Sequence, residues 1–199
     1  MLNKTLKLIR LTIGYTTTSV ALESGYSLTY ILKLENSDIS VSKKLMKSLS
    51  NIYDIPTTKI REISTLQDYG YTRAGIISEI SDYYIKSGQT YSIKKYVSEE
   101  PEILVKLIRI VTGQTLDNVA SIVGITEQKI SALESFDLDI TIKDHYNLAK
   151  AFDMTKSEMD KLINMYENEC SRVELLSEIS EYYVKKETTY QKVKTKSLK

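Results

Sequence analysis

The chain has 199 residues, 42% of them hydrophobic and 27% charged, with 7 Gly, 2 Pro and a formal net charge of +1. That balance excludes a low-complexity or disordered chain and leaves length for one or two hydrophobic cores. One cysteine, Cys170, excludes an intramolecular disulfide framework, and Lys4, Lys7 and Arg10 interrupt the opening apolar residues, so neither a secretory leader nor a membrane span is expected. A reducing cytoplasm is the expected location.

Scarce Gly and Pro, with long stretches of 3.6-residue periodicity, predict an all-α protein. Leu6, Ile9 and Ile13 mark one face of an opening helix, and Gly14 stands where a left-handed residue ends it. Thr16 is placed to cap a short second helix that turns Val20 and Ala21 inward. Gly25 supplies a tight turn. Ser27 then caps a third helix whose Ile31 and Leu34 face inward, with Leu28, Thr29, Leu32 and Lys33 on other faces. A fourth helix is predicted over roughly 42–53, ending before Pro56, and a fifth after it. A further helix over 72–86 places Ile76, Ile80, Tyr83 and Tyr84 on one face, packed against its own domain or against the matching helix of the second copy, or else serving as a dimer seam. Ser87, Gly88 and Gln89 begin a linker that runs to about Glu99.

The plan then returns at a constant offset of 99 residues. Leu8, Ile9 and Arg10 recur as Leu107, Ile108 and Arg109; Gly14 as Gly113; Val20 and Ala21 as Val119 and Ala120; Gly25 as Gly124; Ile31 as Ile130; Leu34 and Glu35 as Leu133 and Glu134. Thr115 and Thr126 take the cap positions, and the closing helix returns over 171–185 with Leu175, Ile179, Tyr182 and Tyr183 on one face. A duplication of about a hundred residues reads as two globular domains in tandem, because a unit of that size encloses one core. The predicted boundaries are 1–65 for the first domain, 66–98 for its extra helix and linker, 99–165 for the second domain, and 166–199 for a final helix and basic tail.

The copies differ in charge. Residues 1–98 carry 13 Lys and Arg against 8 Asp and Glu, and residues 99–199 carry 14 against 18. The lysines from Lys185 onward conceal a body of −9 over 99–184. A polyanion is expected to prefer the first copy, and the tail to act either as a disordered basic arm or as a solubilising end.

The arrangement Leu-Ile-Arg, turn, Val-Ala, Gly, then Ile-x-x-Leu-Glu resembles the Xre or Cro/cI-type helix-turn-helix family of bacterial and phage repressors, over about 6–60 and again over about 105–160. The resemblance implies two tandem five-helix lambda-repressor-like domains, each followed by an additional helix. It pairs Arg10 with Glu35 and Arg109 with Glu134 as structural bridges between the first and third helices. It also puts DNA reading on the N-terminal part of the third helix: Ser27, Leu28, Thr29 and Lys33, with Tyr30 beside them. Leu28 and Leu32 have a plainer reading as packing residues. Phosphate anchors are expected from Thr16 and Thr17, from Asn36, and from Lys43 and Lys44, with Lys47 behind them.

The second copy departs from the family pattern. Leu116 stands just inside its second helix, where the family often has a polar residue, and Glu127 brings negative charge toward a phosphate-lined groove. Thr126, Glu127, Gln128 and Lys129 form a second, weaker candidate contact. Lys143 matches Lys44 but lies among Asp137, Asp139 and Asp144, whereas Asp38 alone neighbours Lys43 and Lys44. The second domain is therefore expected to serve as a partner surface or dimer scaffold.

The expected function is a sequence-specific DNA-binding transcriptional regulator, a repressor, acting on double-stranded DNA and reading paired half-sites as a homodimer or through both copies. The alternative is a protein-interaction module of antitoxin or antirepressor type. One histidine, His145, stands where the first copy has Met46, and it is read as a packing or surface residue. With no Gly-rich phosphate loop and no Cys/His metal spacing, no catalytic residue, metal or cofactor is expected.

Overall fold

The computed structural model describes residues 2–37, 39–89, 104–134 and 142–196. The described residues form twelve helices and no strand, and no described helix is long and apolar enough to cross a membrane. The chain divides into two compact units, 1–97 and 98–199.

The first unit comprises α1 (Leu2–Ile13), α2 (Thr17–Ser24), α3 (Leu28–Asn36), α4 (Lys43–Ile52), α5 (Thr57–Thr65) and α6 (Arg73–Ser87). Local chemistry sets the boundaries. Gly14 at φ 84° closes α1, and the Thr16, Ser27, Ser42 and Thr72 side chains each accept a backbone N–H from the first turn of the helix they precede. α1 is the central element and packs on α3, α5 and α6, while α2 packs on α3 and α4. Its position follows from sequence, because Leu6, Leu8, Ile9 and Ile13 are all buried and need neighbours on more than one side.

α6 belongs to this core. Ile76, Ile77, Ile80 and Tyr84 are buried, and the Tyr84 hydroxyl donates to the carbonyl of Tyr53 at the end of α4. The face that the sequence offered as a dimer seam is thus covered within the unit. The expected linker begins with contacts of its own: Gly88 caps α6 in the left-handed region at φ 68°, and the Gln89 side-chain amide donates to Asp54 at 2.9 Å. Residues 90–103, which hold the rest of that linker, lie outside the described residues.

The second unit comprises α7 (Leu104–Thr112), α8 (Leu116–Val123), α9 (Glu127–Glu134), α10 (Ile142–Ala151), α11 (Lys156–Glu167) and α12 (Arg172–Lys196). α7 packs on α11 and α12, α8 on α9 and α10, and α11 on α12. Ile108, Val119, Ile130, Leu176 and Ile179 are fully buried. The Tyr183 hydroxyl donates to the Phe152 carbonyl at 2.6 Å, the counterpart of the Tyr84 bond.

The final helix differs from the sequence expectation. α12 continues to Lys196 instead of ending near Lys185 in a disordered arm. The reason is local: Gly88, which stops α6, is replaced at the matching position by Glu187, and no Gly or Pro follows. Thr188 Oγ1 bonds back to the Val184 carbonyl at 2.8 Å within the added length. A second difference is Glu169, held at φ 55° where the first copy has Gly70 at φ 80°. That left-handed position costs a non-glycine residue about 1 kcal/mol.

Candidate nucleic-acid interface

α2, the turn at Gly25 and α3 present an outward face because their other face is committed to the core. Val20, Ala21, Ile31 and Leu34 are buried. Gly25 sits at φ 72° and its N–H donates to the Ala21 carbonyl at 3.1 Å, so the chain reverses within three residues. At the start of α2, Thr16 Oγ1 accepts the Ser19 N–H at 3.0 Å and lies 2.7 Å from the Ser19 hydroxyl. At the start of α3, Ser27 Oγ accepts the Tyr30 N–H at 3.2 Å.

Thr16, Ser27, Leu28, Thr29 and Lys33 are exposed on this face, with Thr17 and Tyr30 half-buried beside them. Leu28 and Leu32 are each 42% exposed, so neither is a core packing residue. The sequence reading passed over two residues of α2 and the turn after it. Tyr26 stacks on Tyr30 with ring centroids 5.2 Å apart at 22°, and Leu22 is 79% exposed. The helical step of 100° was the available signal for Leu22, since it follows the inward Ala21 directly.

A buried ion pair holds α3 in place. Arg10 Nε and Nη2 donate to the two Glu35 carboxylate oxygens at 2.6 and 2.7 Å, and Nη1 donates to the Tyr15 carbonyl at 2.8 Å. The two side chains are only 8% and 3% exposed. A fork-to-fork pair of this kind fixes orientation as well as distance, and it leaves the Arg10 charge turned away from solvent. Beyond it, the Asn3 amide donates to the carbonyls of Leu34, Ser37 and Ile39 at 2.7–2.8 Å, which ties the end of α3 to α1.

Lys43 and Lys44 are exposed at the first two positions of α4, whose cap Ser42 accepts the Leu45 N–H at 3.1 Å. Ammonium groups beside unpaired helix N–H groups suit a phosphate. Lys47 is exposed one turn later. Asn36 is placed differently: its Oδ1 accepts Lys7 Nζ at 2.8 Å and its Nδ2 donates to the Leu32 carbonyl at 2.9 Å, so its amide is turned back onto α1 and α3.

The second unit repeats the geometry with other chemistry. Thr115 caps α8, Gly124 turns at φ 75°, and Thr126 Oγ1 accepts the Lys129 N–H at 3.2 Å. Glu127, Gln128 and Lys129 are exposed, and Leu116 is half-buried. Arg109 donates to Glu134 at 2.7 and 2.8 Å, but its side chain is 23% exposed and its reach to the Gln114 carbonyl is a long 3.4 Å. Asp38, Asp137 and Asp139 lie outside the described residues, as do the side chains of Lys143, Asp144 and His145. No family model, curated protein or solved structure matches the chain.

Proposed function

We propose that the chain is a sequence-specific DNA-binding transcriptional repressor of Xre or Cro/cI type, in which α2 and α3 of the first unit act as the helix-turn-helix. The observation that carries this reading is the capped α2, the left-handed Gly25 and the exposed start of α3, locked to α1 by the buried Arg10 and Glu35 bridge. In this reading α3 enters the major groove. Leu28 meets a thymine methyl, Thr29 and Lys33 reach base edges, and Thr16, Thr17, Ser27, Lys43 and Lys44 take phosphates. The acidic second unit serves as scaffold or weaker reader, with Glu127 opposing close approach to phosphate.

The test is a selection from random duplex DNA with the full chain, followed by titrations at fixed salt. An enriched motif is expected. Lys33→Ala should weaken it by about 1–3 kcal/mol and relax one base position, whereas Lys44→Ala should weaken all sequences alike and lower the salt slope by about one. No enriched motif at either low or physiological salt counts against the reading.

One observation favours a protein-interaction module of antitoxin or antirepressor type instead. Leu22 is 79% exposed and Ile122 of the second unit 59%, more apolar exposure than a DNA face needs. That reading expects no DNA motif and a stoichiometric protein complex that Leu22→Glu dissolves.

A further inference from the structure

A cavity of about 670 Å³ opens in the first unit between α1, the last turn of α3 and the start of α6. Its size falls within the range of small-molecule sites, roughly 300–1,000 Å³. Among the described lining residues, the cations Lys4, Lys7 and Arg73 outnumber the carboxylates three to one. Among those residues the carboxylate is Glu35, which is already committed to Arg10 through both oxygens. A recess lined by one sign of charge concentrates the field inside it and attracts the opposite sign.

An aromatic wall completes the cavity. Tyr71 lies against the first turn of α6, where a Cβ on Gly75 would meet Tyr71 Cδ1 tightly at 3.3 Å. The repeated fold does not require these features. At the matching positions the second copy has Ile103 for Lys4, Cys170 for Tyr71 and Glu174 for Gly75, and keeps Lys106 for Lys7. It also keeps an arginine, Arg172, where the first has Arg73, and burial pulls the Arg172 guanidinium down to about 9. The second copy therefore keeps two of the three cations but not the combination of three cations and an aromatic wall found in the first.

We propose that this cavity binds a small organic anion bearing two or more phosphate or carboxylate groups, with Lys4, Lys7 and Arg73 neutralising the charge and Tyr71 covering one side. The planar guanidinium of Arg73 suits either group by paired hydrogen bonds, and the two ammonium groups supply point charges. The proposal goes beyond the DNA reading and does not depend on it.

The test is isothermal titration calorimetry of the full chain with inorganic pyrophosphate and, separately, with citrate, at matched ionic strength. Saturable one-to-one binding of at least one probe is expected, and whichever binds distinguishes phosphate from carboxylate chemistry. Lys7→Gln and Arg73→Gln should each weaken it by about tenfold or more, with Lys86→Gln, outside the cavity, within about twofold of the parent. Lys4→Gln, at an exposed position, keeps the test intact if Arg73→Gln fails to fold. Absence of saturation up to about 10 mM of both probes overturns the proposal. So does equal weakening in Lys86→Gln, which indicates general charge attraction, or displacement of the probe by mixed-sequence duplex DNA, which assigns these cations to a nucleic-acid track.

Discussion

Glu35→Ala removes half of the bridge that holds α3 to α1 and strands the Arg10 guanidinium. Arg10 is 8% exposed, so the abandoned charge has little access to water, and of its contacts only the Tyr15 carbonyl at 2.8 Å remains. Breaking a buried pair in this way costs about 3–5 kcal/mol. For a unit of this size that corresponds to a fall in Tm of about 15–25 °C. The second unit supplies an internal comparison. Arg109 is 23% exposed and can rehydrate, so Glu134→Ala should cost about 1–2 kcal/mol. Hydrogen exchange read by mass spectrometry on the full chain resolves the two units, since peptides from α1 and α3 report the first and peptides from α7 and α9 the second. The paired replacement Arg10→Met with Glu35→Leu should recover most of the loss, because no charge is then left buried. A loss below about 1 kcal/mol for Glu35→Ala, or a larger loss for Glu134→Ala, refutes the argument that burial makes the first bridge the costlier one to break.

Burial raises the phenols of Tyr53, Tyr84 and Tyr183 above their ordinary value of 10.0, with nearby negative charge adding to each. The unfolded chain therefore loses those protons at lower pH than the folded one, so stability is full below about pH 10 and declines as pH rises beyond it. Denaturant titrations between about pH 8 and 11 should show this, with Tyr84→Phe flattening the decline in the first unit and costing about 1 kcal/mol at neutral pH. Gly25→Ala meets no atom within 4 Å of the added Cβ, so its cost should be purely that of the left-handed backbone, about 1–2 kcal/mol, with Gly25→Asn costing less in the same unfolding assay. Asn3→Ala removes the donor shared by three carbonyls at the end of α3 and should cost about 1–3 kcal/mol, with faster hydrogen exchange concentrated in the last turn of α3.

Much of the architecture was legible because it rests on local rules. Thr16, Ser27 and Ser42 mark helix starts because a side-chain oxygen one position ahead satisfies an orphan N–H, and Gly14 and Gly25 mark ends because the left-handed region favours glycine. The constant offset between the copies carried these marks across to Thr115 and Gly124. The polar part of the exposed set on α3 was legible by the same means, since inward Ile31 and Leu34 leave Thr29 and Lys33 elsewhere on the helix.

The sequence by itself determined where the helices lie and which way each apolar stripe faces, because capping and periodicity act within a few residues. Tertiary structure decided what covers each face. Periodicity could not separate core from surface for Leu28 and Leu32, since it sets a side chain's direction on its own helix and not the neighbour it meets. Nor could it show that exposed Asn36 meets Lys7, 29 positions earlier, across the helices. The cavity shows the same division most clearly. Lys4 and Lys7 come from α1 and Arg73 from α6, and only the packing of α3 and α6 on α1 brings their charges to one recess.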